Sequence, residues 1–346
     1  MFLRYQYKEK VIFKENFAEL RGQVLRQIKM FSLLKKFGFQ NRRTISSSDG
    51  HCFRLLKTLE GHRDWCTFVS YNKEGNLIVS SSTDRSLKVW NVESGECIKT
   101  LKGHTNKVNS AVFSSDGRFI LSASSDKTIR VWNTESGEEE YTIDTSISDV
   151  CTMAVFSPDS KLIAAGCHDH KIKIYNAETK ALIGELEGHE EMINSCFFNT
   201  DGSLIVSASA DKTVRVWNTA TMECICVLRG HSGYVWSAVF ACNDQYIVSA
   251  STDRSIKIWD YNSGECVKVL KGHKGWVRFA SASEDFSLIV STSLDNTIKI
   301  WNTESGECIQ TIEDNKDWVY AAVFSPDGKH IASASRDREI HIYGLK

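Results

Sequence analysis

Histidine, serine and aspartate recur together along this sequence at a spacing that could support nucleophilic chemistry. His104 is followed by Ser122 and Asp126, and the same three residue types recur at the same spacing in four other places. A serine activated by a histidine that an aspartate orients is the nucleophile of many hydrolases. A catalytic constellation occurs once in a chain, however, whereas this one occurs five times. We therefore interpret these residues as structural and expect no enzyme activity.

A metal site and a phosphate-binding loop are two further candidates. His168, Asp169 and His170 are adjacent and could ligate a metal, but Asp169 occupies the position of the recurring aspartate and no further ligand is implied. No Gly-Lys-Ser loop that could hold a phosphate occurs in the sequence. The sequence therefore predicts neither a metal nor another cofactor.

The elements that must position these residues form a repeat of almost constant length. The recurring aspartates are Asp84, Asp126, Asp169, Asp211, Asp253, Asp295 and Asp337, at spacings of 42, 43, 42, 42, 42 and 42 residues. A period in the low forties with four short apolar runs per unit is typical of a propeller blade. In the unit that begins at Gly103 these runs are VNSAVFS, FILSASS, TIRVW and the segment before the next unit. Seven units predict an all-β, seven-bladed β-propeller.

The two ends of the repeat region indicate how the ring closes. Residues 52–59 look like the fourth strand of a unit but follow no third strand, and the chain ends at EIHIYGLK, a third strand without a fourth. We predict that residues 52–59 complete the last blade, so that no long sheet edge is left exposed. The predicted domains are the propeller, residues 52–346, and an N-terminal extension, residues 1–51.

The extension is basic, unlike the rest of the chain. Residues 1–43 carry eleven Lys and Arg against three Glu, a net charge of +8, so the remainder carries −9 of the total of −1. Apolar residues recur every three or four positions over residues 15–37, namely at Phe17, Leu20, Val24, Ile28, Phe31 and Leu34. This spacing predicts an amphipathic helix, and a polar linker follows it. The helix could cover the propeller, bind a partner helix, lie on anionic lipid or direct the chain to mitochondria.

Cysteine usage indicates the compartment. Four of the eleven cysteines occupy the same position on different blades, too far apart to bridge, and no Cys-x-x-Cys occurs; the four are Cys97, Cys224, Cys266 and Cys308. Reduced thiols are typical of a cytoplasmic or nuclear protein. No apolar run approaches ~18 residues, so no membrane-spanning helix is predicted. The acidic propeller disfavours nucleic acid as a partner.

Several residues of each unit make the sequence resemble the WD-repeat family. Gly-His pairs begin five units, Trp ends the third strand of five units, and the family's namesake dipeptide occurs at Trp259-Asp260. The resemblance implies that His, Ser, Asp and Trp form a hydrogen-bonded tetrad in each complete blade. The matching sets are His62, Ser80, Asp84 and Trp90; His104, Ser122, Asp126 and Trp132; His189, Ser207, Asp211 and Trp217; His231, Ser249, Asp253 and Trp259; and His273, Ser291, Asp295 and Trp301.

The third and seventh units depart from this pattern. The third has Thr145-Ser146 in place of Gly-His, Ala165 in place of Ser and Tyr175 in place of Trp, and the seventh has Asp314-Asn315 and Tyr343. We expect these two blades to be less rigid. We also expect Asp169 to lack the partners that the aspartates of complete blades have.

The resemblance also implies where a partner binds. Members of the family commonly bind partners through the residues three and five positions after the His and the residue before the Asp. Candidates at these positions are Trp65, Lys107, His168, Tyr234, Trp236, Trp276, Arg278, Trp318, Tyr320 and Arg336, and the same count places Asp149 and Cys151 on the third blade. All six aromatic candidates lie on the consecutive blades five, six, seven and one, which we call the aromatic arc. Alternatively, these tryptophans simply pack beside the central channel.

These features together predict a non-catalytic scaffold that binds partner proteins or peptides on this face. The arginines among the aromatic residues favour acidic or phosphorylated segments. The alternative is a membrane- or organelle-directed adaptor that works through residues 15–37, with a membrane surface as its partner. The sequence leaves the oligomeric state open.

Overall fold

The computed structural model describes residues 52–145 and 150–346, and all regular secondary structure in this part is β-strand. The described residues include no helix long and apolar enough to cross a membrane. The helix expected at residues 15–37 lies outside the described residues. The predicted all-β, seven-bladed propeller is confirmed.

The strands form seven blades, numbered in chain order. Blades 1 and 2 contain β2 (Cys66–Tyr71), β3 (Leu77–Ser82), β4 (Ser86–Asn91) and β5 (Cys97–Lys102), then β6 (Val108–Phe113), β7 (Phe119–Ser124), β8 (Thr128–Asn133) and β9 (Glu139–Asp144). Blades 3 and 4 contain β10 (Cys151–Phe156), β11 (Leu162–Cys167), β12 (Ile172–Asn176) and β13 (Leu182–Leu186), then β14 (Ile193–Phe198), β15 (Leu204–Ser209), β16 (Thr213–Asn218) and β17 (Cys224–Arg229). Blades 5 and 6 contain β18 (Val235–Ala241), β19 (Tyr246–Ser251), β20 (Ser255–Asp260) and β21 (Glu265–Lys271), then β22 (Val277–Ala282), β23 (Leu288–Ser293), β24 (Ile298–Asn302) and β25 (Cys308–Ile312). Blade 7 contains β26 (Val319–Phe324), β27 (His330–Ser335), β28 (Ile340–Leu345) and, from the start of the described chain, β1 (Phe53–Leu59).

Each blade is an antiparallel sheet in which strands that are consecutive in sequence are neighbours, except at the seventh. There β1 pairs with β28, from Phe53 opposite Leu345 to Leu59 opposite Ile340. The first strands of adjacent blades contact each other around the ring, so they form its inner wall. The fourth strands are the most exposed, as the pattern of β5 shows, and they face outward.

The second strand of each blade is buried along almost its whole length. It is rich in Ser and Ala, as in FILSAS of β7, because sheets on both sides pack against it and leave room only for small side chains. All eleven cysteines lie in the described residues and are free thiols.

A β-bulge at the second residue of each first strand gives that side chain a special position. In β6, Val108 pairs with Ser124 and Ser110 pairs with Ala123, so Asn109 between them is left out of the ladder. The Asn109 Nδ2 donates a hydrogen bond to the Cys151 carbonyl of the next blade at 2.7 Å. Equivalent bonds of 2.6–2.8 Å link blades 1 to 2, 3 to 4 and 4 to 5, from Thr67, Thr152 and Asn194. On blades 5, 6 and 7 the bulge residue is instead Trp236, Arg278 or Tyr320.

Candidate functional site

The residues of each complete tetrad are in hydrogen-bond contact. In blade 2, His104 Nδ1 lies 2.8 Å from Asp126 Oδ2, His104 Nε2 lies 2.8 Å from Ser122 Oγ, and Trp132 Nε1 lies 2.9 Å from the same oxygen. A carboxylate only accepts, so the His Nδ1–H donates to Asp, the Ser hydroxyl donates to Nε2, and the indole N–H donates to Ser. The four other sets repeat these contacts at 2.6–2.9 Å.

The residue before each tetrad His must be Gly because the ring of the tetrad tryptophan packs closely against it. Gly230 has φ 151°, and a Cβ atom there would lie 3.3 Å from Cη2 of the Trp259 ring. A larger residue would therefore be strained by its backbone and would crowd the indole. This explains why blade 3, which has Tyr175 instead of Trp, can carry Thr145 at the equivalent position.

Electrostatics favour neutral histidine in the tetrads of blades 2, 4 and 6, and they favour ionised aspartate in all five tetrads. Burial lowers the pKa of His104, His189 and His273, and their aspartate partners only partly offset this effect. Burial alone would raise the pKa of Asp126, but hydrogen bonds from Thr128, the Thr105 backbone and His104 outweigh it and lower the pKa to about 2. The other tetrad aspartates are shifted in the same direction.

The five serines are poorly placed for nucleophilic attack although their contacts resemble a catalytic triad. Each Oγ accepts the indole N–H of its tetrad and belongs to a residue with no exposed surface, for example Ser122 and Ser207. A substrate carbonyl could reach such an oxygen only if the blade opened. The tetrads therefore fix the geometry of the blades and position the loops above them.

Stability is expected to fall as the pH is lowered, in two stages. Unfolded histidine binds a proton near pH 6.5, whereas His104, His189 and His273 in the folded protein have lower pKa values, so the unfolded state binds more protons below about pH 7. The tetrad aspartates add a second decline below about pH 4, because their folded pKa values lie below the unfolded value. Urea midpoints measured across pH test this. A flat midpoint between pH 7 and 5 would contradict the first stage, and a His104→Gln variant should show a weaker decline there.

Blade 3 corrects the expectation that Asp169 lacks partners. Lys173 Nζ lies 3.0 Å from Asp169 Oδ2 and 3.3 Å from Glu185 Oε1, and its side chain is almost completely buried. The ammonium group thus replaces the missing histidine as the partner of the aspartate. Among the described residues no group of three or more His, Cys, Asp and Glu side chains could hold a metal.

Blade 7 also rebuilds its network with other residues. Asn315 contacts both His341 Nδ1 at 3.0 Å and the Tyr343 hydroxyl at 3.4 Å. His341 Nε2 in turn lies 3.2 Å from Glu339, which pairs with Lys316 at 2.9 Å. Asn315 and Tyr343 are two of the residues by which blade 7 departs from the family pattern, and these contacts join them directly.

The face above the tetrads brings the candidate binding positions together in every blade. The residue before the recurring Asp donates its N–H to the carbonyl of the first candidate position, as Arg336 does to Trp318 at 2.8 Å and Leu294 does to Trp276 at 2.9 Å. Lys107 is exposed and accepts this bond from Ser125. In blade 3 the donor is His168 and the acceptor is Val150.

The assignment of face residues in blade 3 is therefore wrong by one residue. Val150 and Thr152 occupy the positions given above to Asp149, which lies outside the described residues, and Cys151. Cys151 is completely buried, with its Sγ 3.2 Å from Cys167 Sγ. This unit is one residue longer than the others, and the absence of a Gly-His pair hides where the extra residue lies. The spacing of 43 was the only sequence signal of the shift.

The aromatic residues of the arc divide into an exposed set and a packed set. Tyr234, Trp276 and Trp318 are 47%, 50% and 37% exposed. Trp65, Trp236 and Tyr320 are half-buried and pack against arginines. Trp318 is exposed but also contacts an arginine, so the two sets overlap. The alternative that the tryptophans simply pack beside the central channel stays a prediction.

Two arginines are inserted between aromatic rings of neighbouring blades. The Arg278 guanidinium lies 3.6 Å from the ring centre of Trp236 and 5.6 Å from that of Tyr320. Arg336 lies 4.2 Å from the ring centre of Trp65 and 4.4 Å from that of Trp318. Such contacts favour a guanidinium by about 0.5–2 kcal/mol each. The arc therefore contains two stacks of side chains, one around Arg278 and one around Arg336, and Trp318 of the second stack is also one of its three exposed aromatic residues.

Comparisons with known proteins agree with the repeat pattern. A sequence model described as WD domain, G-beta repeat matches residues 53–91, 95–133, 137–176, 180–218, 222–260, 264–302 and 306–344. Two curated proteins, each named Small ribosomal subunit protein RACK1, from Trypanosoma brucei brucei and Trypanosoma brucei rhodesiense, are 42% identical to the chain over 41 residues. That similarity covers 12% of this chain and only 13% of each relative.

Proposed function

Because the chain belongs to the WD-repeat family, as the seven matched segments show, we propose that it is a non-catalytic scaffold that binds a partner protein segment on the aromatic arc. The observation that carries the proposal is the exposure of Tyr234, Trp276 and Trp318 on three consecutive blades of one face. Large aromatic side chains bury much area with little loss of conformational freedom, and they dominate binding hot spots. Their clustering favours one contiguous binding site.

The bulge residues of the first strands support the same choice by contrast. On blades 1 to 4 the bulge residues are small and polar, and their side chains are already used in bonds to the next blade. These bulge side chains therefore have few hydrogen-bonding groups left to bind a partner. Blades 5 to 7 instead offer rings and charge, which suits an extended segment with an apolar anchor.

The short similarity to the two ribosomal proteins does not select a partner. It covers 12% of the chain, and the repeats that such a stretch spans are common to the whole family. A ribosomal partner and other protein partners are both consistent with the proposed scaffold. The test should therefore select binding peptides without assuming either kind of partner.

Replacing Trp276 by Ala is expected to weaken peptide binding at least tenfold. Peptides are first selected from a displayed random library on the full-length protein, and their affinities for the parent and for Trp276→Ala are then measured by fluorescence polarisation. The loss is expected because truncating a hot-spot residue removes about 2 kcal/mol or more of binding free energy. Half of the Trp276 side chain is exposed, so the thermal midpoint should change little.

Lys212→Ala is the matched control for this experiment. Lys212 is an exposed residue of the turn between the second and third strands of blade 4, on the same face but away from the arc. Its replacement should leave the affinities unchanged. If every selected peptide binds Trp276→Ala as tightly as the parent, the partner segment does not use the arc and the proposal fails.

A further inference from the structure

Arg278 differs from Arg336, the other stacked arginine of the arc, because it has no acidic partner. In the part of the chain that the structure describes, no carboxylate lies within ion-pair distance of its guanidinium, and no side-chain or backbone oxygen accepts a hydrogen bond from it. Arg336, the other stacked arginine, has the Asp317 carboxylate 3.7 Å from its Nε. The two sites therefore share their aromatic surroundings but differ in charge balance.

The surroundings of Arg278 leave one way to bind it. Trp236 is in van der Waals contact with the guanidinium and covers one of its faces, and the Tyr320 ring on the opposite neighbouring blade has its centre 5.6 Å away. Its N–H groups point along the edges of the guanidinium plane, and this edge matches the two oxygens of a carboxylate or phosphate. Burial lowers the pKa of Arg278 to about 10, so the group is still charged at neutral pH. A half-buried charge without a counter-ion is costly, and a bound anion would remove that cost.

A second donor lies beside this guanidinium. The Trp236 Nε1–H is buried and has no hydrogen-bond partner among the described residues. The indole nitrogens of the five tetrad tryptophans, in contrast, all donate to serine. A buried N–H without an acceptor costs about 1–3 kcal/mol, so such groups usually have a partner. Here an unused N–H donor and an unbalanced cation belong to side chains in direct contact.

We propose that Arg278 and the Trp236 indole N–H together bind one oxyanion, the carboxylate or phosphate group of the partner segment. This inference rests on the proposed function only for the claim that a protein segment carries the anion. The exposed rings of Tyr234, Trp276 and Trp318 would hold the apolar part of that segment. The subsite would thus make binding depend on a negative charge in the segment, which the exposed aromatic residues alone cannot do.

The test uses the full-length protein labelled with ¹⁵N at its tryptophan indoles. The Trp236 resonance is assigned by its loss in Trp236→Phe, and it is followed while inorganic phosphate or acetate is added at constant ionic strength. We expect this signal to shift saturably with at least one of the two anions. Saturation with phosphate alone indicates a phosphorylated residue, whereas saturation with acetate indicates an acidic residue. A signal that moves with neither anion overturns the proposal.

Variants separate this subsite from a general effect of salt. Arg278→Gln should weaken the anion affinity at least tenfold, and Arg278→Lys should also weaken it because an ammonium lacks the paired N–H edge. Arg254→Gln, an exposed arginine on the same face of blade 5, should leave it unchanged. An identical titration in the parent, Arg278→Gln and Arg278→Lys would overturn the proposal. Selected peptides that need Trp276 but bind Arg278→Gln normally would overturn the anion subsite and leave the proposed scaffold function standing.

Discussion

A chain that starts at Gly61 is expected to unfold or to self-associate, whereas a chain that starts at Ser48 should retain the thermal midpoint of the full-length protein. The shorter chain lacks β1, whose Phe53 and Leu59 are both 2% exposed in blade 7. Burying side chains of this size contributes about 1.5–3 kcal/mol each. Without β1, the whole of β28 would become an open, apolar sheet edge, which is a template for pairing with another chain.

Contacts to both neighbouring blades enlarge this effect. The Phe53 N–H donates to Gln310 Oε1 at 2.9 Å, and Gln310 Nε2 donates to the Phe53 carbonyl at 2.7 Å, so β1 is tied to blade 6. On the other side Lys57 Nζ donates to the Val92 carbonyl of blade 1 at 3.0 Å. Loss of β1 therefore removes contacts from blades 1, 6 and 7 together.

Thermal unfolding and size-exclusion chromatography of the two shortened chains measure the outcome. Equal thermal midpoints and equal elution volumes would show that β1 is dispensable. A Gln310→Ala variant of the full-length protein serves as a milder version of the same test. It removes only the two bonds to blade 6 and should lower the midpoint by a smaller amount than the loss of the strand.

The fold could be predicted because its information is local and repeated. A period of 42 residues sets the length of a blade, and the alternation of apolar runs and turns sets its four strands. The predicted run TIRVW, for instance, is β8 apart from the Asn133 that ends it. A single short apolar run could be a strand or part of a buried helix, but seven copies at the same spacing identify these runs as strands.

Blade 3 shows where prediction from the repeat fails. Because blade 3 lacks the Gly-His pair, its sequence does not show where the extra residue lies. Counting forward from Ser146 therefore assigns Cys151 to the surface, although Cys151 is buried. The pairing of Lys173 with Asp169 was also missed. In the complete blades the residue at the position of Lys173 is a cation near the tetrad tryptophan, as Lys257 is near Trp259 at 5.7 Å, and nothing in its type signals a different role.

The aromatic arc was predictable in its composition but not in its packing. Counting positions places Arg278 and Arg336 among aromatic residues on adjoining blades. Which rings cover them depends on how neighbouring sheets pack, because Arg278 contacts rings of blades 5 and 7, and Arg336 contacts a ring of blade 1 as well as one of its own blade. The lack of an acid beside Arg278 is likewise a property of three blades together.

Asp126→Ala is expected to destabilise the protein more than Asp169→Ala, by about 3 kcal/mol against about 1–2 kcal/mol. Asp126 accepts four hydrogen bonds, from the His104 ring, the Thr128 hydroxyl and the backbone N–H groups of Thr105 and Thr128. Its removal leaves the buried His104 ring and the half-buried Thr128 donors without this acceptor, whereas the exposed Thr105 N–H can bind water. Asp169 accepts from the Lys171 backbone and pairs with Lys173. Denaturant midpoints of the two variants give the comparison.

A second substitution separates the two networks. In Asp169→Ala the Lys173 ammonium stays buried and retains Glu185 at 3.3 Å, so the loss comes mainly from a charge that is only partly balanced. Adding Lys173→Met removes that charge while keeping an unbranched side chain, and it should restore part of the lost stability. In blade 2, adding His104→Gln to Asp126→Ala should restore nothing, because Ser122 would lose the ring nitrogen that accepts its hydroxyl. Midpoints in the opposite order, or rescue in blade 2 but not in blade 3, would show that Lys173 does not replace the tetrad histidine.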